Sequence, residues 1–248
     1  LIEFKSIEKN VGGKEVLNRV SLTIARGQTH ILLGPSGSGK TTLLKILMGL
    51  VAPTHGDVWI DGHNPRSMPL AQWVKRIGYV PQAGGLFPHL TVYENVTLVA
   101  RAQKWPDALI AKRWSEITPL VSLHLELTNR FPKQISGGEA QRVAILRALF
   151  LDPEFLVLDE PLSALDPVVR SGMQSELKGL FDRLQKTVVI VTHDIAEAAY
   201  LGNCISLLHA GTVLQTGSFS DLRDHPAHPY VSEFVRSQRS LFDDGTLL

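Results

Sequence analysis

The chain has 248 residues, 44% of them hydrophobic, a formal net charge of +1 and a single cysteine, Cys204. That apolar content suits one large α/β domain with a subdomain, and the charge balance lacks the basic stripe of a nucleic-acid binder. One cysteine excludes an internal disulfide and points to a reducing compartment, and no apolar run reaches the length of a membrane span.

The opening "LIEFKSIEKN" carries charges where a signal peptide would be apolar, so export is not expected; a start at Leu1 instead of Met suggests a trimmed N-terminus. "IEFKSIEKNV" and "EVLNRVSLTIARG" alternate and are rich in β-branched residues, as strands are. "THILLG" reads as a buried parallel strand ending in glycine. "KTTLLKILMGL" follows with Leu43, Leu44, Leu47 and Met48 at helical spacing. "GDVWIDG" and "RIGYVPQ" are further strands, the second broken by Pro81. Helical patterns then dominate from Gly84 to Phe150, in "TVYENVTLVARAQ", "ALIAKRWSEITPLVSL" and the segment after "QISGGE". Strands return in "EFLVLDE" and "TVVIVTH", with the helix "VVRSGMQSELKGLFDRLQ" between them. "CISLLHAGTVLQTG" reads as a hairpin around Ala210–Gly211, with Cys204 as a small buried hydrophobe. The tail reads as a short helix, a proline-marked turn, a second helix and a frayed end. The expected organisation is a single α/β domain, 1–248. Residues 1–83 and 151–220 form its core, 84–150 an inserted helical subdomain and 221–248 a helical tail.

"GPSGSGKT" fits G-x-x-x-x-G-K-[ST], with a buried strand before it and a helix after it. At ordinary glycine usage of ~7%, the fixed positions arise by chance in roughly one in a hundred chains this long, and the strand–loop–helix context lowers that further. Gly34, Pro35, Ser36, Gly37, Ser38, Gly39, Lys40, Thr41 and Thr42 are therefore expected to bind a nucleotide. Backbone N–H groups from Ser36 to Thr42 would cradle the β-phosphate, Lys40 would bridge the β- and γ-phosphates, and the Thr41 hydroxyl would ligate Mg²⁺. "FLVLDE" delivers two acids at the end of a buried strand. Because neighbours on a strand point opposite ways, Asp159 is assigned to Mg²⁺ and Glu160 to polarising an attacking water. His193, in "VTHD", sits at a strand's C-terminal end, where ligands bind in open α/β sheets, and could donate to the γ-phosphate. Gln82, in "YVPQ", could bind Mg²⁺ or water through its amide oxygen. In "QISGGEAQRVAIL", a serine and two glycines stand before a helix, a second arrangement suited to an anion.

Taken in order, "GPSGSGKTT", "YVPQ", "ISGGEAQRVAILRAL", "FLVLDEP", "SALD" and "VTHD" resemble the Walker A, Q-loop, signature, Walker B, D-loop and H-loop of ATP-binding-cassette ATPases. The resemblance covers nearly the whole chain. It implies a P-loop NTPase core with an N-terminal antiparallel β subdomain and an inserted α-helical subdomain, ATP and Mg²⁺ as cofactors, and a head-to-tail dimer with composite sites. Ser136, Gly137 and Gly138 would then meet the γ-phosphate held by the partner's Lys40. Ser163 and Asp166 match the D-loop, which runs along the dimer seam and helps place Glu160. The signature reads ISGGE where the commonest form is LSGGQ, so the Glu139 charge must point away or be compensated. The family's adenine-stacking aromatic falls near Val11, which offers apolar contact but no ring, a loss of roughly 0.5–1.5 kcal/mol.

"GGLFPHLTVYENV" resembles the importer segment that receives the membrane subunit, with Phe87, Pro88 and Leu90 as an apolar wall near Gln82. The tail and "EPLSALDPVVRSGMQSEL" most resemble ATPases that import osmoprotectants such as glycine betaine and choline. The implied protein lies on the cytoplasmic face of the membrane. It works as a homodimer, or with a paired ATPase, beside transmembrane permeases, and indirectly serves a solute-binding protein. The chain lacks the long C-terminal regulatory domain that some such importers carry, so that regulation is either absent or lost with a missing part of the protein. Three rival readings remain: an exporter or lipid-extraction ATPase, a nucleic-acid-handling cassette without its usual coiled-coil or zinc insertion, and a small-molecule phosphotransferase. The last leaves ISGGE and THD unexplained.

Overall fold

The structure, a computed structural model, describes residues 1–82 and 84–239, so the frayed end expected after them lies outside the described residues. The elements begin with β1 (Ile2–Val11), β2 (Lys14–Ile24), β3 (Thr29–Leu33), α1 (Lys40–Leu47), β4 (His55–Ile60), α2 (Leu70–Trp73), β5 (Ile77–Val80), α3 (Val92–Ala102) and α4 (Asp107–Ile117). They continue with α5 (Gly137–Leu149), β6 (Phe155–Asp159), α6 (Pro167–Leu184), β7 (Thr187–Thr192), α7 (Ile195–Leu201), β8 (Cys204–His209), β9 (Thr212–Gly217), α8 (Phe219–Asp224) and α9 (Pro229–Arg239). The chain divides into two compact units, residues 1–70 with 189–248, and residues 71–188.

The first unit holds an antiparallel sheet in the order β2-β1-β4, with Ile2 opposite Ile24 and Phe4 opposite Leu22. Ile2, Phe4 and Ile7 of β1 are buried; Ser6, at positive φ, lies where the register slips and restores the inward face. The second sheet of this unit places β3 between β7 and β8, with β9 antiparallel at the edge. All of β3 is buried, which is why it reads as an apolar run without alternation. β3 and β8 run parallel, with Ile31 beside Ile205. Ala210 and Gly211 both take positive φ and close the β8–β9 hairpin as a two-residue turn requires. Cys204 opens β8 half-buried, not buried as expected, because it stands at the strand's first position; burial still raises its thiol pKa.

In the second unit, β5 and β6 pair in parallel, with Gly78 beside Leu156. A Cβ on Gly78 would stand 2.4 Å from the Ala148 carbonyl oxygen, so the glycine lets α5 lie close against β5. Thr91 and Glu94 open α3 with a reciprocal capping box. Tyr93 meets Trp114 edge-on, at 4.9 Å between ring centres, and joins α3 to α4. The sequence pattern did not announce α2 or α7. Both are too short, at four and seven residues, for a helical period to emerge.

Candidate functional site

In the first unit, β3 ends at Leu33 and feeds the loop that opens α1. A Cβ on Gly34, at φ 151°, would lie 2.1 Å from the Leu208 carbonyl oxygen, and one on Gly39, at φ 103°, 2.6 Å from Leu17 Cδ2. Glycine is thus required twice by close approach to β8 and β2. The intervening loop is open on its other side, since nothing lies within 4 Å of a Cβ on Gly37. No side chain caps α1, and its first turn carries no acid. The Ser38 hydroxyl is buried without a hydrogen-bond partner. Lys40 is 5% exposed, and its Nζ donates to the carbonyls of Gly34 (2.7 Å) and Pro35 (2.8 Å). A concave turn with uncapped helix N–H groups, an orphaned hydroxyl and an ammonium folded over it fits a polyphosphate. Thr41 and Thr42 are half-buried in the first turn of α1, and Val11, at the tip of the β1–β2 hairpin, is 55% exposed.

The same unit carries His193, exposed just after β7. Around it the backbone is tightly held. Asp194 accepts from the Ala196 and Glu197 N–H groups as N-cap of α7, and its own N–H donates to Thr192 Oγ1.

In the second unit, β6 ends at Asp159, which is 5% exposed. Burial of Tyr79 itself, and after it the nearby Asp159 charge, raise the Tyr79 pKa above its ordinary value. The separation of Asp159 from Glu160 does not come from strand alternation, as expected from sequence: Glu160 lies off the strand at φ 46°. A left-handed turn, not the pleat, redirects it. Gln82 Nε2 donates to Glu160 Oε2 at 3.2 Å, which brings together two residues the sequence assigned separately. The Ser163 hydroxyl donates to the Glu160 carbonyl at 3.0 Å, and Asp166 is the N-cap of α6, accepting from the Val169 N–H at 3.1 Å.

Ser136 is the N-cap of α5, and Glu139 completes a capping box with it. The Ser136 N–H and hydroxyl donate to Glu139 Oε2 at 2.7 and 2.8 Å, while the Glu139 N–H donates back at 3.3 Å. The Ser136 N–H first, then its hydroxyl, hold the Glu139 carboxyl below its ordinary pKa. The charge that ISGGE introduces is thus compensated locally. Gly137 is exposed, and a Cβ on buried Gly138 would press to 3.0 Å from Val169 Cγ1.

A groove of about 430 Å³ opens in this unit beside the loop that follows Gln82. Phe87 lines it together with Tyr79, Pro81, Val99, Arg147 and Leu151. Pro88 and Leu90, expected in the same wall, are not among its lining residues. Asn95, fully buried, gathers this loop: it accepts from the Phe87 N–H and donates to the Phe87, Leu90 and Thr91 carbonyls. Arg147 donates to the carbonyls of Gly84 and Gly85, both at 2.8 Å, and lies over the Phe87 ring. Sequence reasoning missed both residues, though an Asn inside a helix is a signal, since its amide competes with backbone partners.

Among the described residues, no cluster of three His, Cys, Asp or Glu could hold a metal unaided, and no helix is long and apolar enough to cross a membrane. A family model described as "ABC transporter" matches residues 17–163. The choline transport ATP-binding protein OpuBA of Bacillus subtilis is 42% identical over 92% of this chain; the chain spans 60% of that relative's length. A probable sulfate/thiosulfate import ATP-binding protein, CysA of Chlorella vulgaris, is 43% identical over 94% of this chain and 98% of its own. Among solved structures, the dimeric post-hydrolysis state of the ATP-binding cassette MJ0796, bound to ADP and Pi, superposes with a TM-score of 0.77 at 35% identity, covering 88% of this chain and 99% of that one.

Proposed function

The chain belongs to the ABC transporter family, and from that premise we propose that it is the ATP-hydrolysing subunit of a bacterial importer, peripheral on the cytoplasmic face of the membrane. The observation that carries this reading is the glycine-framed loop before α1, whose uncapped helix N-terminus, orphaned Ser38 hydroxyl and enclosing Lys40 fit a nucleotide triphosphate. The P-loop from Gly34 to Thr42 holds the phosphates, and Lys40 exchanges its loop carbonyls for phosphate oxygens. Exposed Val11 offers an apolar contact to adenine. Thr41, Gln82 and Asp159 would hold Mg²⁺ through hydroxyl, amide and carboxylate oxygens, the hard donors that suit this ion. When bound there, the ion would supply charge neutralisation at the phosphates.

Glu160 orients the attacking water, and the Gln82 amide that already donates to its carboxylate holds it ready. His193 donates to the γ-phosphate. Ser136, Gly137 and Gly138 belong to the opposite site of a homodimer, with Ser163 fixing the Glu160 backbone and Asp166 beside the seam. The groove lined by Phe87 receives the transmembrane subunit. Solute reaches that subunit from a solute-binding protein. Likeness to the choline transport protein supports a quaternary-amine osmoprotectant as cargo. The sulfate/thiosulfate relative supports an oxyanion as second reading.

The test mixes two inactive variants. Lys40→Ala abolishes nucleotide binding in its own loop, and Ser136→Arg blocks closure onto a partner's phosphate. Each alone is inactive, whereas the mixed dimer carries one wholly native composite site. In a 1:1 mixture half of the dimers are mixed and each has one native site of two, so recovery of about a quarter of the wild-type rate is expected. No recovery, with mixed dimers present by cross-linking, overturns the composite site.

A further inference from the structure

The first unit contains a contact that none of the motifs anticipates. Val231, Phe234 and Val235 of α9 are all at most 7% exposed. They stand at i, i+3 and i+4 and form the stripe by which this helix docks. The next position of that stripe, i+7, is Gln238. A fourth apolar residue would complete the face; the chain puts an amide there. Tyr230, whose ring centre lies 3.7 Å from that of His209 at a tilt of 36°, anchors the other end of the helix on β8.

The amide has a definite use. The Ile195 N–H donates to Gln238 Oε1 at 2.8 Å, and Gln238 Nε2 donates to the His193 carbonyl at 2.7 Å. Both ends of one side chain are therefore spent on the backbone either side of Asp194. Thr192 and Asp194 fix the same turn from within, through the N-cap of α7. The His193 side chain stays exposed, while its carbonyl is pinned.

We propose that Gln238 is a positioning residue for His193, so that the C-terminal helix sets the orientation of the histidine and thereby the rate of ATP hydrolysis. The inference rests on the reading of His193 as a catalytic group. Gln238 does not touch the nucleotide. It acts by fixing the φ and ψ angles on which the imidazole direction depends. Leucine at this position keeps the shape and the docking stripe but removes both hydrogen bonds. Glutamate keeps the acceptor for Ile195 and sets a carboxylate oxygen against the His193 carbonyl.

The experiment measures steady-state ATPase and nucleotide binding for wild type, Gln238→Leu, Gln238→Glu, His193→Ala and the double variant Gln238→Leu/His193→Ala. Loss of two neutral hydrogen bonds predicts a fall in kcat of about tenfold for Gln238→Leu, with the dissociation constant for ATP unchanged. In the His193→Ala background the same substitution changes kcat less than twofold, because the group it positions is gone. Hydrogen exchange at the Ile195 amide rises in Gln238→Leu whatever the catalytic role of His193. Equal loss of kcat in both backgrounds, a matching loss of ATP affinity, or unchanged kcat in Gln238→Leu overturns the inference. If His193→Ala hydrolyses ATP at the wild-type rate, the assignment of His193 fails instead, and the inference falls with it while the exchange result stands.

Discussion

His30 makes the strand that presents the nucleotide loop sensitive to acid. It lies on β3, 1% exposed, with Nε2 at 2.9 Å from Ser206 Oγ, which is in turn 2.7 Å from Thr216 Oγ1. No carboxylate enters this chain of groups, and burial pushes the imidazole pKa from 6.5 down to about 4. The folded value is the lower one, so the unfolded chain binds the proton first as pH falls. The stability that depends on a neutral ring is complete above about pH 6.5 and is lost as pH falls toward about 4. The whole window is worth about 3 kcal/mol, of which ~2 kcal/mol disappears between about pH 7.5 and pH 5. His30→Gln keeps a neutral partner for Ser206 and removes the titration. Urea unfolding of both proteins at the two pH values isolates the histidine, because every other titrating group is shared. Wild type should lose about 2 kcal/mol more than His30→Gln over that interval, within a factor of two. Parallel losses in the two proteins would refute the reasoning.

Two further substitutions test local geometry. Gly34→Ala places a methyl 2.1 Å from the Leu208 carbonyl oxygen, whereas Gly37→Ala meets nothing within 4 Å and bears only the positive-φ strain. The first should cost more than about 3 kcal/mol and the second about 1–2 kcal/mol in urea unfolding, and equal costs would contradict the packing described. Glu139→Ala removes half of the α5 capping box and should lower stability by about 1 kcal/mol, while Glu139→Gln retains most of it through the amide oxygen. Indistinguishable melting of all three proteins would show that the box does not stabilise α5.

What the sequence disclosed and what it hid follow from distance along the chain. The P-loop was legible because strand, glycines, lysine and helix are contiguous; Ser136 and Glu139 are near neighbours too, yet their reciprocal capping emerged only in the fold. Asp159 and Glu160 were found through the apolar run before them, but the turn that parts them depends on a positive φ that no side-chain pattern records. Contacts across long separations stayed hidden. Arg147 reaches Gly84 over 63 positions, and Gln238 reaches His193 over 45. A glutamine in a tail helix or an arginine in a signature helix reads as surface until the fold brings its partner. The helical stretch from 84 to 150 was visible by period, yet the compact unit containing it runs from 71 to 188, since β5 and β6 pack with those helices. Strand pairing of that kind leaves no trace in local periodicity.

The two helix starts that the sequence offers to phosphate are not equivalent, and under the proposed composite site their difference would set a condition on dimer closure. α1 starts from Gly39 with no side-chain cap and no acid in its first turn, so its dipole and N–H groups are turned toward an outside anion. α5 starts from Ser136, whose hydroxyl and N–H already donate to the chain's own carboxylate, Glu139. A phosphate arriving at α5 must take the Ser136 hydroxyl from that carboxylate, an exchange of one charge-assisted hydrogen bond for another with little net gain. Free phosphate in solution therefore gains little at α5. A phosphate already fixed in the partner's P-loop comes at high effective concentration, and the exchange proceeds. In this reading α1 selects the nucleotide and α5 only reports that the partner holds one. Replacing Glu139 with alanine frees the Ser136 hydroxyl beforehand, so the variant that loses helix stability should close its dimer at lower ATP than wild type, measured by light scattering in the Glu160→Gln background. A requirement for more ATP would mean that the carboxylate orients Ser136 for the phosphate instead of competing with it.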